Sequence, residues 1–208
     1  MTKSQFFTIH RDNPQARLLR QAAHIVKAGG LLVYPTDSGY ALGCQLGDKH
    51  ALARIRQIRQ LEEDHYMTLM CRDLSELSTY AQFSNTAFRL LKAFTPGPYT
   101  FLLTATSEVP RRLLHPKRRT IGLRVPDNPI ALALLETLDE PLMSTTLSLP
   151  EAGAPLMEPE AIRDLLGDQV DLIIDGGSCD QEPTTVIDLM GEYPKVVRRG
   201  KGDPTPFE

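Results

Sequence analysis

Residues 29–44, GGLLVYPTDSGYALGC, constrain the fold more than any other stretch of the chain. Gly29 and Gly30 can end a helix, because glycine enters the left-handed conformation without a Cβ clash. Leu31 to Tyr34 then read as a short apolar strand, which Pro35 is expected to stop because it has no N–H for a ladder. Thr36, Asp37, Ser38 and Tyr40 gather hydroxyls and an acid just past that strand. A helix feeding a buried strand whose end carries polar groups suits an α/β site. It suits equally a polar turn leaving a core strand.

The 208 residues are enough for one large domain or two small ones with a sizeable core. A 24% charged and 41% hydrophobic composition is that of an ordinary globular protein. The net charge of −3 excludes bulk attraction to nucleic acid, although a local basic surface remains compatible with it. Cys44, Cys71 and Cys179 lack the short spacings of a disulfide framework or a zinc knuckle and are read as reduced thiols. No metal site is expected, because the five histidines are scattered. No long apolar run follows the start or occurs elsewhere, so the expected location is the cytoplasm, with no membrane partner.

Periodicity places Phe6 to Ile9 on an edge strand and starts a helix at Asn13 and Pro14, with Leu18, Ala22, Ile25 and Val26 on its apolar face. Asp48 caps a second helix that buries Leu52, Ile55 and Ile58, while Arg56 and Arg59 point together. Further strands are expected at 67–71, 99–105, 120–125, 142–146 and 170–175. Helices are expected after Asp73, Ser84 (burying Ala87, Phe88 and Leu91), Asn128 and Glu158. Residues 184–189 and 195–198 read as a hairpin, and residues 200–208 as a loosely held tail. Helices and strands interleave without a strict βαβ rhythm, so the fold class is α/β: a single domain, 1–208, with a mixed, largely antiparallel sheet and flanking helices.

Neither GxxxxGK[ST] nor GxGxxG occurs, so phosphates would be held by strand-end hydroxyls and guanidinium groups. Arg59, Arg124 and Arg198 are the candidate clamps; each also fits a solvated surface arginine. Residues 108–119, EVPRRLLHPKRR, hold Arg111, Arg112, Lys117, Arg118 and Arg119, either as a solvated loop or as a contact for RNA phosphates. Aromatics make up 6% and tryptophan is absent, so an RNA contact would read backbone or shape and not stack bases.

Five ordered segments resemble one family. YPTDSGYALG (34–43) is similar to the PTDTxYGLG signature of the YrdC and YciO family, the threonylcarbamoyl-adenylate synthase group. TPGPYTFLL (95–103) resembles its PGPxTLIL, GLRVPDNPIALALLE (122–136) its RVPxHPLALALL, and PTTVIDL (183–189) its PSTVVD, followed by VVRRG where the family has LRxG. Wording such as RIRQL and VPRRLL resembles the YciO branch more closely.

The resemblance implies a sheet around a concave basic cavity, and a reaction in which threonine, bicarbonate and ATP with Mg2+ give threonylcarbamoyl-adenylate and pyrophosphate for tRNA modification. ATP would be a substrate, with no tightly bound cofactor. Thr36, Tyr40, Thr100, Arg124 and Thr184 would meet the amino acid and carbamate, and Arg198 phosphate. Two motifs depart: the family's Lys-x-Arg becomes Arg59, Gln60, Leu61, and its Ser-x-Asn becomes Thr146, Leu147, Ser148, with Ser144 upstream. Arg59, Ser144, Thr146 and Ser148 therefore form an altered catalytic, triphosphate side, implying weak or changed nucleotidyltransfer. The partners implied are an adenine nucleotide, threonine, and tRNA or double-stranded RNA. The alternative is a non-catalytic RNA-binding module.

Overall fold

The computed structural model describes residues 3–61, 65, 67–114, 119–149, 156–179 and 182–208. In chain order the elements among them are β1 (Gln5–Thr8), α1 (Ala16–Lys27), β2 (Leu32–Thr36), β3 (Gly39–Gln45), α2 (Lys49–Arg59), β4 (Thr68–Met70), α3 (Leu74–Tyr80), β5 (Ala81–Gln82), α4 (Asn85–Phe94) and β6 (Tyr99–Ala105). They continue with β7 (Thr120–Arg124), α5 (Pro129–Leu138), β8 (Leu142–Thr146), α6 (Pro159–Leu166), β9 (Leu172–Asp175), β10 (Thr185–Asp188) and β11 (Lys195–Arg198). The strands form one sheet in the order β1-β9-β2-β3-β8-β4-β7-β6-β10-β11, and β5 pairs with β6. Pairings β1–β9, β2–β9, β4–β7 and β6–β10 are parallel and the other six are antiparallel, so the sheet is mixed and largely antiparallel.

Most helices start where a short polar side chain can take the first free N–H groups. Asp48 accepts from the N–H groups of His50 and Ala51, Asp73 from Glu76, Ser84 from Ala87, and Asn128 from Ile130 and Ala131. Helix α1 differs from the expectation. It begins at Ala16 behind Gln15, with no side-chain cap. Asn13 belongs instead to a turn in which His10 Nδ1 accepts from the N–H groups of Asp12 and Asn13, while Gln15 Oε1 accepts from His10 N–H. Its buried face is Leu19, Ala22, Ala23 and Val26, leaving Leu18 and Ile25 partly covered. In α4, Phe88 is 42% exposed and stacks on Phe83 rather than entering the core.

Pro35 does not end β2. The strand runs on to Thr36 and turns through Asp37 and Ser38 into β3, with Thr36 opposite Gly39. The proline is tolerated because β9 pairs only with Leu32 and Val33, so that edge of β2 is open at residue 35. Gly39 sits at φ +112°, where a side chain would be strained.

The tail expected to be loose is packed. Phe207 is 2% exposed and lies 4.8 Å from the ring of Phe94 and 5.6 Å from that of Tyr99. Thr185 Oγ1 donates to Gly202 O, and Lys201 N–H to Pro183 O at 2.9 Å. A Cβ on Gly202 would lie 2.4 Å from Tyr99 Cε1, so only glycine fits against that ring.

Alternate residues of each central strand go to opposite faces. Leu31, Val33, Leu69, Met143 and Ile173 join one apolar cluster with side chains of α2, α3, α4 and α6. Leu32, Tyr34, Met70, Leu142, Leu172 and Ile174 join the other, under α1 and α5. No described helix is long and apolar enough to cross a membrane.

Candidate functional site

The face that α1 and α5 cover continues across β8, β4, β7, β6 and β10, and there it changes character. Register partners share a face. Thr68 lies opposite both Ser144 and Gly122, Gly122 opposite Leu102, Met70 opposite Arg124, and Thr100 opposite Val186. All of these residues line one cavity of about 460 Å³. Met70 and Ala41 mark the boundary, because they belong to the covered cluster and also line the hollow.

The cavity brings together every residue assigned to nucleotide and amino acid: Thr36, Tyr40, Thr100, Arg124 and Thr184 with Arg59, Ser144, Thr146, Ser148 and Arg198. They come from elements far apart in sequence. Thr36 is at the hairpin tip, Arg124 at the end of β7, Arg59 at the last position of α2 and Arg198 at that of β11. Sequence reading missed His65, Thr68 and Val197, which also line it. Two-residue alternation from Met70 would have found Thr68; for exposed His65, outside any strand, no such signal exists.

Arg124 is 6% exposed and is held by the hairpin turn. Its Nη2 pairs with Asp37 Oδ1 and its Nη1 donates to Ser38 Oγ at 2.8 Å, while Nε and Asp37 Oδ2 are buried without partners among the described residues. Burial pulls the Arg124 pKa below its ordinary value, and Asp37 opposes that shift by favouring the charged form. One cation of the cavity is thus already matched by an anion. Arg59 and Arg198 have no carboxylate partner among the described residues. Arg59 donates from Nη1 to Ser148 O, and burial lowers its pKa. Arg198 donates from Nη2 to Thr184 O at 2.9 Å and to Thr184 Oγ1 at 3.3 Å, and Thr184 Oγ1 lies 2.8 Å from Thr100 Oγ1. Tyr40 presents its ring, since its hydroxyl donates to Gly177 O at 2.7 Å and accepts from Gly176 N–H.

The two altered motifs have different geometries. Gln60, at φ 50°, closes α2 so that its N–H bonds Gln57 O and that of Leu61 bonds Arg56 O. This helix ending turns the apolar residue after it inward, and Leu61 packs against the core. Position 61 therefore does not reach the cavity, whereas Arg59 does. Past β8 the alternation continues: Thr146 and Ser148 line the hollow, and buried Leu147 donates its N–H to Tyr40 O at 2.9 Å.

Other parts of the sequence reading fall outside the hollow. Arg111 and Arg119 are exposed and do not line the cavity, Arg112 lies in the short 3₁₀ turn Arg111–Leu113, and Lys117 and Arg118 are outside the described residues. No group of three His, Cys, Asp or Glu among the described residues could hold a metal ion.

Residues 24–200 match the Sua5, YciO and YrdC family, described by the words telomere recombination. The chain belongs to the Sua5, YciO and YrdC family. It is 63% identical to YciO of Escherichia coli strain K12 over 204 residues, 98% of this chain and 99% of that protein. Its fold superposes on the E. coli YciO crystal structure with a TM-score of 0.94 at 62% identity, covering 99% and 100% of the two chains. Within the same family it is 30% identical to a threonylcarbamoyl-AMP synthase of Vibrio vulnificus strain YJ016, covering 88% of this chain and 98% of that one. It also superposes, with a TM-score of 0.86 at 26% identity, on Pyrococcus abyssi Sua5 complexed with L-threonine, covering 95% of this chain and 58% of that one. The YciO and Sua5 structures thus bracket the fold, an open mixed α/β sheet in a single domain.

Proposed function

We propose that this chain binds an adenine nucleotide and a hydroxy amino acid in the 460 Å³ cavity, and that it carries out at most a weak form of the threonylcarbamoyl-adenylate synthase reaction. The observation that supports this most is the convergence of Thr36, Thr100, Arg124 and Thr184 with Arg59 and Arg198 on a single hollow from distant elements. Attack of a carbamate oxygen on the α-phosphate requires alignment and charge neutralisation, and no covalent intermediate with the protein. Arg59 and Arg198, unmatched by carboxylates, would neutralise phosphate charge. No carboxylate lines the cavity among the described residues, so magnesium, arriving as part of the nucleotide substrate, would be held by phosphate and hydroxyl oxygens.

Weak turnover follows from Leu61. The second cation of the synthase motif is replaced by a side chain that seals a helix end, and one lost charge-assisted contact costs about 1.5–3 kcal/mol. The test is incubation with ATP, threonine, bicarbonate and magnesium, following pyrophosphate and the adenylate together. Slow product formation with measurable nucleotide binding is expected. Background turnover with no nucleotide binding overturns the reading.

A second reading, RNA contact through residues 108–119, is supported by the exposure of Arg111 and Arg119. Neutralising those two should lower the slope of RNA retention against log salt by about two phosphate contacts. An unchanged slope removes the segment from the account.

A further inference from the structure

Whether a cavity hydroxyl gives or takes a hydrogen bond is decided by its neighbours, and Ser144 has one on either side. Tyr34 is 0% exposed, with its ring laid over Gly43, where a Cβ would come within 2.8 Å of Cε1. Its hydroxyl lies 2.8 Å from Ser144 Oγ, the one partner it has among the described residues. Ser144 Oγ in turn lies 3.0 Å from Leu42 O, which can only accept. If Ser144 gave its proton to Tyr34, the phenol proton would be stranded in the core without a partner. The consistent order is Tyr34 O–H to Ser144 O–H to Leu42 C=O. Burial pushes the Tyr34 pKa far up, so the phenol keeps the proton that it donates.

We propose that Tyr34 is a positioning residue that fixes Ser144 as a hydrogen-bond acceptor toward the cavity, so that Ser144 meets a donating group of the ligand, an ammonium or a hydroxyl, and never a phosphate oxygen. This rests on the nucleotide and amino acid reading above, and it moves Ser144 from the triphosphate side to the amino acid side. Thr36 is closed within its own turn: its hydroxyl donates to Gly39 O at 2.6 Å and accepts from Ser38 N–H at 3.2 Å, and Ser38 Oγ, which takes a hydrogen bond from Arg124, lies 3.3 Å away and can give its proton to the remaining lone pair. The opposite holds at Thr100 and Thr184. One proton lies between their two oxygens and Arg198 donates to Thr184, which leaves a second hydroxyl proton with no partner among the described residues. The hollow has an accepting side and a donating side. A ligand with an ammonium or hydroxyl at one end and anionic oxygens at the other matches that polarity.

Two measurements on the full chain test it. Neutron diffraction from deuterium-exchanged crystals should place the Tyr34 deuteron on the line to Ser144 Oγ and the Ser144 deuteron toward Leu42 O; a Ser144 deuteron pointing into the cavity overturns the proposal. Calorimetric titration then compares ATP, L-threonine, 3-hydroxybutyrate (no ammonium) and 2-aminobutyrate (no hydroxyl). Ser144→Ala should weaken threonine by about tenfold and Tyr34→Phe by about threefold, with ATP within about twofold of wild type. The analogue lacking the group that Ser144 meets should bind wild type and Ser144→Ala alike. Weaker ATP with unchanged threonine would make Ser144 a donor to phosphate and overturn the proposal. Wild-type protein that binds neither ATP nor threonine removes the functional reading, and the deuteron positions still decide the polarity of Ser144.

Discussion

Under α1 and α5 the sheet face presents Leu32, Tyr34, Leu142, Leu172 and Ile174; across β4, β7, β6 and β10 the same face presents Thr68, Gly122, Thr100 and Val186. Both halves obey one two-residue alternation, and both back onto the same apolar cluster on the reverse side. The difference lies in what can be laid over them. An apolar helix can cover the first half, because aliphatic side chains gain from leaving water. Over the second it would bury the spare hydroxyl proton of the Thr100 and Thr184 pair, at a cost of about 1–3 kcal/mol, together with the Arg59 and Arg198 charges, which no carboxylate matches among the described residues. A face of hydroxyls is therefore stable only if left open or filled by a ligand that satisfies it. The alternation decides which residues share a face, and chemistry decides whether that face becomes core or site.

Five substitutions or conditions can break or sharpen this contrast. The largest effect is expected at the seam, where Asp37 neutralises buried Arg124: Asp37→Asn should destabilise by about 3–5 kcal/mol in urea titration, because it leaves a buried charge unpaired. A loss below about 1 kcal/mol would mean that water already reaches the guanidinium there. On the covered half, Leu134→Ala should cost about 2–5 kcal/mol and leave ligand affinity alone, since Leu134 is 0% exposed beneath the sheet.

The reverse face gives a pH signal. Burial pushes the Cys44 thiol up from 9.0 to about 12. The unfolded chain releases that proton first, so between those values the unfolded state holds fewer protons and stability falls as pH rises, by about 1.4 kcal/mol per pH unit while only the unfolded thiol ionises. Urea midpoints that do not move between about pH 9 and pH 11 would show that Cys44 is solvated. Burial also raises the Cys71 thiol, so neither it nor Cys44 should react with a thiol reagent at about pH 8 before unfolding. The smallest stability effect is expected on the open half. Thr100→Val should change stability by about 1 kcal/mol or less while weakening cavity ligands severalfold, so a loss as large as that of Leu134→Ala would make the hollow part of the core.

Much of this was legible before folding was considered. The helix starts at Asp48, Asp73, Ser84 and Asn128 follow from local chemistry, because a cap needs only a side-chain oxygen two or three residues before the N–H it satisfies. The strands read from β-branched and apolar runs are present for the same reason. Where local rules were overruled, a distant partner explains it. Pro35 stays in its strand because β9 pairs with β2 only as far as Val33, and the tail is ordered because Phe207 finds Phe94 and Tyr99. Helix α1 begins late because His10 takes the amides of Asp12 and Asn13.

The sequence by itself determined the alternation of the strands read from it, the caps at Asp48, Asp73, Ser84 and Asn128, the ordered motifs that mark the family, and the identity of the hydroxyls and arginines that the hollow would need. Only the tertiary structure decided that Leu61 turns inward while Arg59 reaches the cavity, that Asp37 matches Arg124, and that Ser144 Oγ sits between the Tyr34 hydroxyl and Leu42 O. The reason is range. Backbone conformation answers to neighbours a few residues away, whereas the partner of a buried charge or the direction of a hydroxyl proton is set by atoms that the chain brings together across tens to a hundred positions.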